Sequence, residues 1–182
     1  MALKKLIEGC CNNDRKSQKE VYELVGKKLY SSSLKYAKNE QDAQDVLQDA
    51  FITIFKKIDQ FNHKGSFEGW CRRIVINTAL ARYRKNRLRT VGDDQLVQIE
   101  AEVEEEQLEN VTLRELLHFI QELPERYRLV FTLYAMDGYT HREIADMMEI
   151  SEGTSKSNLS RARGLLQIKI NEWRDNKSSS AI

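Results

Sequence analysis

The sequence predicts an all-α protein: two small helical domains joined by an acidic linker, with a helix-turn-helix in the C-terminal domain. Three observations carry that reading. Helix breakers are scarce, with one proline, Pro124, and 8 glycines among 182 residues. Apolar residues make up 41% of the chain and recur at three- and four-residue steps in its long segments. Charge is almost balanced overall, at 29 Lys/Arg against 28 Asp/Glu, yet it is segregated. Residues 1–88 hold 18 bases and 10 acids, residues 89–110 one base and eight acids, and residues 111–182 ten of each. A basic body, an acidic connector and a neutral C-terminal part point to three segments with separate roles.

In the first domain (residues 1–88), Ser17 to Ala37 carries Val21, Leu24, Val25, Leu29 and Leu34, enough for one or two helices. From Glu40 to Phe61 the periodicity is strongest: Ala43, Leu47, Ala50, Phe51, Ile54, Ile58 and Phe61 form one helix face. Asp42, Asp45 and Asp49 repeat at the same steps on another face. Asn62-His63-Lys64-Gly65-Ser66 breaks the pattern with loop residues. A helix from Phe67 to about Arg87 follows, with Trp70, Ile74, Ile76, Leu80 and Tyr83 as its apolar members. Residues 89–104 read as the linker, passing into a helix near Glu105. Fully extended, such a linker spans at most ~55 Å, more than the ~34–36 Å of one DNA turn.

The second domain (105–176) ends in a polar tail (177–182). Its first helix stops at Leu123, before Pro124; the next runs from Glu125 to about Met136 and stops at Gly138. Thr140-His141-Arg142-Glu143 is a capping box that opens a short helix, and Ser151 suits the N-cap of a long last one. Two helices joined so tightly form a helix-turn-helix, whose second helix enters the DNA major groove. At 3.6 residues per turn, Ser155, Leu159, Ala162 and Leu166 fall in one sector, the buried side. Ser157, Ser160 and Arg161 lie opposite, Lys156 and Asn158 flank them, and Arg163 lies close to the buried side. Arg and Asn pair bidentately with guanine and adenine edges, whereas Lys and Ser suit phosphates or mixed contacts. A second basic cluster (Arg72, Arg73, Arg82, Arg84, Lys85, Arg87, Arg89) sits mainly on the Phe67 helix, interleaved with aromatics. Such density favours phosphate backbones, and splayed bases stack on aromatic rings.

Together these segments resemble the bacterial RNA polymerase sigma factors of the extracytoplasmic-function type. The polymerase-clamp-binding helix of that family resembles residues 42–51 (Asp42 to Phe51). Its −10-element loop and helix resemble Phe61 through Phe67 and Trp70 through Ala79. Its fourth region resembles Leu123 to Arg128, Asp137 to Thr140 and Glu143 to Ala145, and its −35-reading helix Ser151 to Thr154 with Leu159 to Arg163. The resemblance implies an initiation factor that carries core RNA polymerase to promoter DNA and opens it. It implies polymerase contacts from Asp42, Asp45, Gln48 and Asp49, and −35 contacts from Thr154, Lys156, Ser157, Asn158, Ser160 and Arg161. For the −10 element it implies Asn62, His63, Lys64, Ser66, Trp70, Arg73, Asn77, Arg82, Arg84 and Lys85, with an expelled base near Asn62–Ser66. An anti-sigma factor is a further partner the family suggests. The acidic linker is expected to thread a basic polymerase channel and, in the free protein, to screen the DNA-binding surface.

No cofactor, metal or enzymatic activity is expected, since His63, His118 and His141 stand apart and the three cysteines lack ligand spacing. No apolar run is long enough to span a membrane, and the N-terminus is too charged for a secretory signal. A cytoplasmic protein with reduced thiols is the expectation. Two rival readings are an ordinary helix-turn-helix regulator and a metal nuclease using clustered acids. The first leaves the basic helix and acidic linker unexplained; the second lacks a nucleophile–base pair.

Overall fold

The computed structural model describes residues 2–89 and 111–179, which form eight α-helices and no strand. Two compact units are present, residues 1–82 and 83–182.

In the first unit, α1 (Ala2–Cys11) turns into α2 (Arg15–Tyr36). Asp14 caps α2, its carboxylate accepting from the Ser17 N–H at 2.9 Å and the Lys16 N–H at 3.3 Å. Gly9 stands where α1 meets this turn, and a Cβ there would run into the Ser17 side chain. The segment read as one or two helices is therefore a single helix, preceded by one that periodicity did not disclose. Leu24, expected in its apolar face, is exposed.

Asn39 caps α3 (Glu40–Lys57) by accepting from the Asp42 N–H at 2.8 Å. The face read from the sequence is buried in full: Ala43, Leu47, Ala50, Phe51 and Ile54 on α3, then Ile58 and Phe61 around a 3-10 turn at Ile58–Gln60. Ser66 caps α4 (Phe67–Arg89), its hydroxyl accepting from the Gly69 N–H at 3.0 Å. Here the expected seam is corrected. Phe67, Cys71, Val75, Ile76, Ala79 and Leu80 are buried, while Trp70, Ile74 and Tyr83 are half-buried. The buried stripe advances in steps of four through small residues, whereas bulk had pointed to its neighbours. Burial pushes the Cys71 thiol up to about 12, and Cys10, Cys11 and Cys71 are all free.

In the second unit, Thr112 and Glu115 make a capping box at the start of α5 (Leu113–Gln121). Pro124 is the N-cap of α6 (Glu125–Phe131), which continues as a π-turn over Thr132–Met136. Gly138, at φ +76°, then lets the chain turn left-handed, as glycine readily does. Thr140 and Glu143 form the expected capping box of α7 (His141–Met148). The Ser151 hydroxyl accepts from the Thr154 N–H at 3.0 Å, opening α8 (Glu152–Ser179), which runs into the stretch read as a tail. Phe119, Ile120, Leu123 and Tyr127 pack on Ala162, Leu166 and Ile170, so α8 is the spine of this unit. Arg89, read as the first linker residue, ends α4; the rest of the linker reading and the helix onset near Glu105 fall on residues 90–110, outside the described residues.

Candidate nucleic-acid interface and acidic docking face

α7 and α8 form the helix-turn-helix, and α8 turns its Ser155, Leu159, Ala162 and Leu166 side inward as its sequence angle requires. Thr154, Lys156, Ser157 and Ser160 are exposed. Two placements differ from the sequence reading. Asn158 is buried at 5% exposure rather than flanking the polar face. It lies three residues after Ser155 and four before Ala162, on the same helical stripe, so the buried sector is wider on that side. Arg163, read as near the core, is exposed, while Arg161 is half-buried. Arg163 therefore joins Lys156 as an exposed base of α8, although the angular reading set it aside.

A short polar chain fixes the motif. His141 Nδ1 lies 2.9 Å from the Oγ of Ser155, a residue with no exposed surface. The π-turn presents Tyr134, whose ring stacks on His141 at 4.5 Å between centroids. Burial, then the positive charges of Lys156 and Arg163 against the opposing Glu152, lower the His141 pKa below its ordinary 6.5. A lowered folded pKa gives stability that is present above the unfolded value and lost as pH falls through the folded one. Thermal unfolding should therefore show this unit weakening as the pH falls through and below the ordinary 6.5 of histidine. In His141→Gln that part of the pH dependence should vanish; an unchanged profile would assign it elsewhere.

In the first unit the loop at Asn62–Ser66 lies over an aromatic floor. Phe61 meets Phe67 edge-on at 5.2 Å, and Phe67 stacks on Trp70 at 5.8 Å. Phe61 and Phe67 are buried and Trp70 is half-buried. The Asn62 side-chain oxygen accepts from the Lys64 N–H at 3.0 Å, spanning His63, whose φ is +60°. Asn62, His63, Lys64 and Ser66 are exposed, although Ser66 is occupied as the α4 cap. Arg73, Asn77 and Lys85 are exposed on α4 and Arg84 is half-buried. Arg72 pairs with Glu68 at 3.4 Å.

Arg82 does not join them. Nine residues beyond Arg73, it lies two and a half helical turns on, on the opposite side of α4. Its guanidinium reaches α3 instead: 3.0 Å to Asp49, 3.5 Å to Asp45 and 3.6 Å to Asp42. Arg82 is thus turned away from the other −10 candidates and gives the α3 acids an internal partner. Gln48 beside them is exposed. The signal was present in the sequence, in the phase of Arg82 relative to Arg73, but net basicity of the helix obscured it.

A helical unit with an acidic face and a basic helix, followed by a helix-turn-helix unit, defines a two-domain DNA-binding transcription factor. The sigma-70 region 2 family matches residues 21–89, and the sigma-70 region 4 family matches residues 113–166. The chain is 34% identical over 142 residues to the ECF RNA polymerase sigma-E factor of Escherichia coli strain K12, covering 71% of this chain and 74% of that one. To the ECF RNA polymerase sigma factor SigW of Bacillus subtilis strain 168 it is 27% identical over 184 residues, covering 94% and 98%. The fold resembles the sigma factor RpoE of Bartonella quintana, solved with the anti-sigma factor NepR, at a TM-score of 0.52 and 24% identity over 85% of this chain and 96% of that one. The chain belongs to the ECF family of RNA polymerase sigma factors. It is a transcription initiation factor that directs core RNA polymerase to promoter DNA. No helix among the described residues is long and apolar enough to cross a membrane.

Proposed function

We propose that the two units divide promoter reading between them, with the −35 element on α8 and the −10 element on the Asn62–Ser66 loop and the exposed side of α4. The observation that carries this reading is the phase of α8. Its apolar stripe is spent inward, leaving Lys156, Ser157, Ser160 and Arg163 on the surface, with Arg161 at its edge. The half-buried Trp70, packed on Phe61 and Phe67 beside the loop, supports the second half, because a base drawn from the duplex can stack on an accessible ring. Arg73, Asn77 and Lys85, exposed on α4, hold the adjoining strand in this reading. Asp42, Asp45 and Asp49 face the polymerase. The protein acts by binding, in the cytoplasm, and catalyses no step of its own. An inhibitory anti-sigma protein is proposed as a further partner on family membership.

Transcription of a genomic library by core polymerase, with and without this chain, tests the reading as a whole and yields the promoters. Substitutions in α8 test its details. Arg161→Ala should cost ~1–3 kcal/mol at the preferred site and relax sequence choice there, whereas Lys156→Ala should weaken binding evenly and reduce the salt slope. Binding-site selection from random duplexes reads both. An unaltered profile for Arg161→Ala, with a changed one for Arg163→Ala, would transfer base reading to Arg163.

A further inference from the structure

We infer that Arg82 is a positioning residue for polymerase docking, setting the three α3 carboxylates in the geometry in which they meet a basic partner surface. The inference rests on the proposed assignment of the α3 acids to the polymerase, and extends it to a residue on another helix.

Asp42, Asp45 and Asp49 stand at three- and four-residue spacing, so each faces a like charge one turn away, an arrangement that opposes helix formation and splays the side chains. One guanidinium bridges all three. Its Nη1 meets Asp49 Oδ2 at 3.0 Å, and its Nη2 meets Asp45 Oδ2 at 3.5 Å and Asp42 Oδ1 at 3.6 Å. Only a planar fork divides itself in this way; a lysine ammonium is a point charge.

Two roles are open to such a cation: competitor of the polymerase, or organiser of its docking face. The oxygens decide between them. Arg82 engages one oxygen on each carboxylate. The other oxygen of Asp42 accepts from the Lys38 N–H at 3.3 Å, and that of Asp45 from the Gln41 side chain at 3.4 Å. A carboxylate has about four lone-pair sites, so these contacts leave capacity for a partner's N–H groups. Asp45 and Asp49 also keep about half their side-chain surface exposed, at 48% and 53%. Three acids against one base leave the face net negative. Arg82 thus restrains the carboxylates without neutralising them, and side chains already restrained lose less freedom on binding.

The kinetics of core polymerase binding by the full chain test the role. Arg82→Gln should speed dissociation about fivefold, as lost pre-organisation does. Association at low salt should hold or rise, because the face gains negative charge. Arg82→Lys should recover only part of the loss. In a double-mutant cycle, Arg82→Gln should cost less in an Asp49→Asn background than in the wild type, because one of the three carboxylates it acts through is gone. Melting curves of each variant show whether the fold is kept. Slower or unchanged dissociation of Arg82→Gln overturns the inference and makes Arg82 a competitor or a bystander. Losses that multiply in the cycle overturn it too. The parent assignment fails separately, if reversing Asp45 and Asp49 to lysine leaves polymerase affinity intact.

Discussion

Reversing Asp45 and Asp49 to lysine should remove high-affinity binding to core RNA polymerase and leave the chain helical. Both residues lie on the exposed side of α3, away from the buried Ala43, Val46, Leu47 and Ala50, so the substitutions leave the core untouched. Lysine is a good helix former, and propensity does not oppose the change. The electrostatic consequence is large by comparison. Removing one partner of a desolvated interfacial charge pair costs ~2–5 kcal/mol, and here two attractions become repulsions. A loss of a hundredfold or more, roughly 3 kcal/mol, is the expected result of a titration against core polymerase. The variant also sets two lysines beside Arg82, so circular dichroism and melting must accompany the measurement. Unchanged affinity in a helical variant would remove α3 from the polymerase interface.

Periodicity made the α3 face legible because a single amphipathic helix, packed on one side, obeys its own spacing. All seven residues assigned to that stripe are buried. Capping chemistry was equally local: Thr140 with Glu143, and Ser151 ahead of α8, rest on hydrogen bonds over three residues. What escaped was set by neighbours. The α4 seam runs through Cys71 and Ala79, whose burial follows from close packing and not from bulk. Asn158 and Arg163 exchanged places because the width of the buried sector depends on the helices packed against α8. Arg82 was counted with the basic cluster because charge sums ignore direction, and its partners lie more than thirty residues away in sequence.

Arg128 shows the same gap between sequence and packing, and replacing it should have the larger effect on stability. It is buried at 3% exposure, on α6. Its Nη1 donates to the carbonyls of Gln121 and Leu123, each at 2.9 Å. Gln121 is the last residue of α5, so its carbonyl belongs to the set that a helix leaves without intrahelical partners. Pro124, which follows, has no N–H to offer them. A guanidinium there answers both the orphan acceptors and the negative end of the helix dipole. In Arg128→Met the stem is retained and the donors are lost; the buried Leu123 carbonyl then costs ~1–3 kcal/mol, and the half-buried Gln121 carbonyl loses this donor as well. Domains are stable by roughly 0.05–0.15 kcal/mol per residue, so for a unit this small the loss is a large part of the total. The variant should therefore melt its C-terminal unit well below the wild type and lose −35 binding. Polymerase docking through α3, in the other unit, should persist. Arg128→Ala, which also opens a cavity, should be worse than Arg128→Met. A variant Arg128→Met that melts with the wild type and binds the −35 element normally would show that water, not Arg128, satisfies the end of α5.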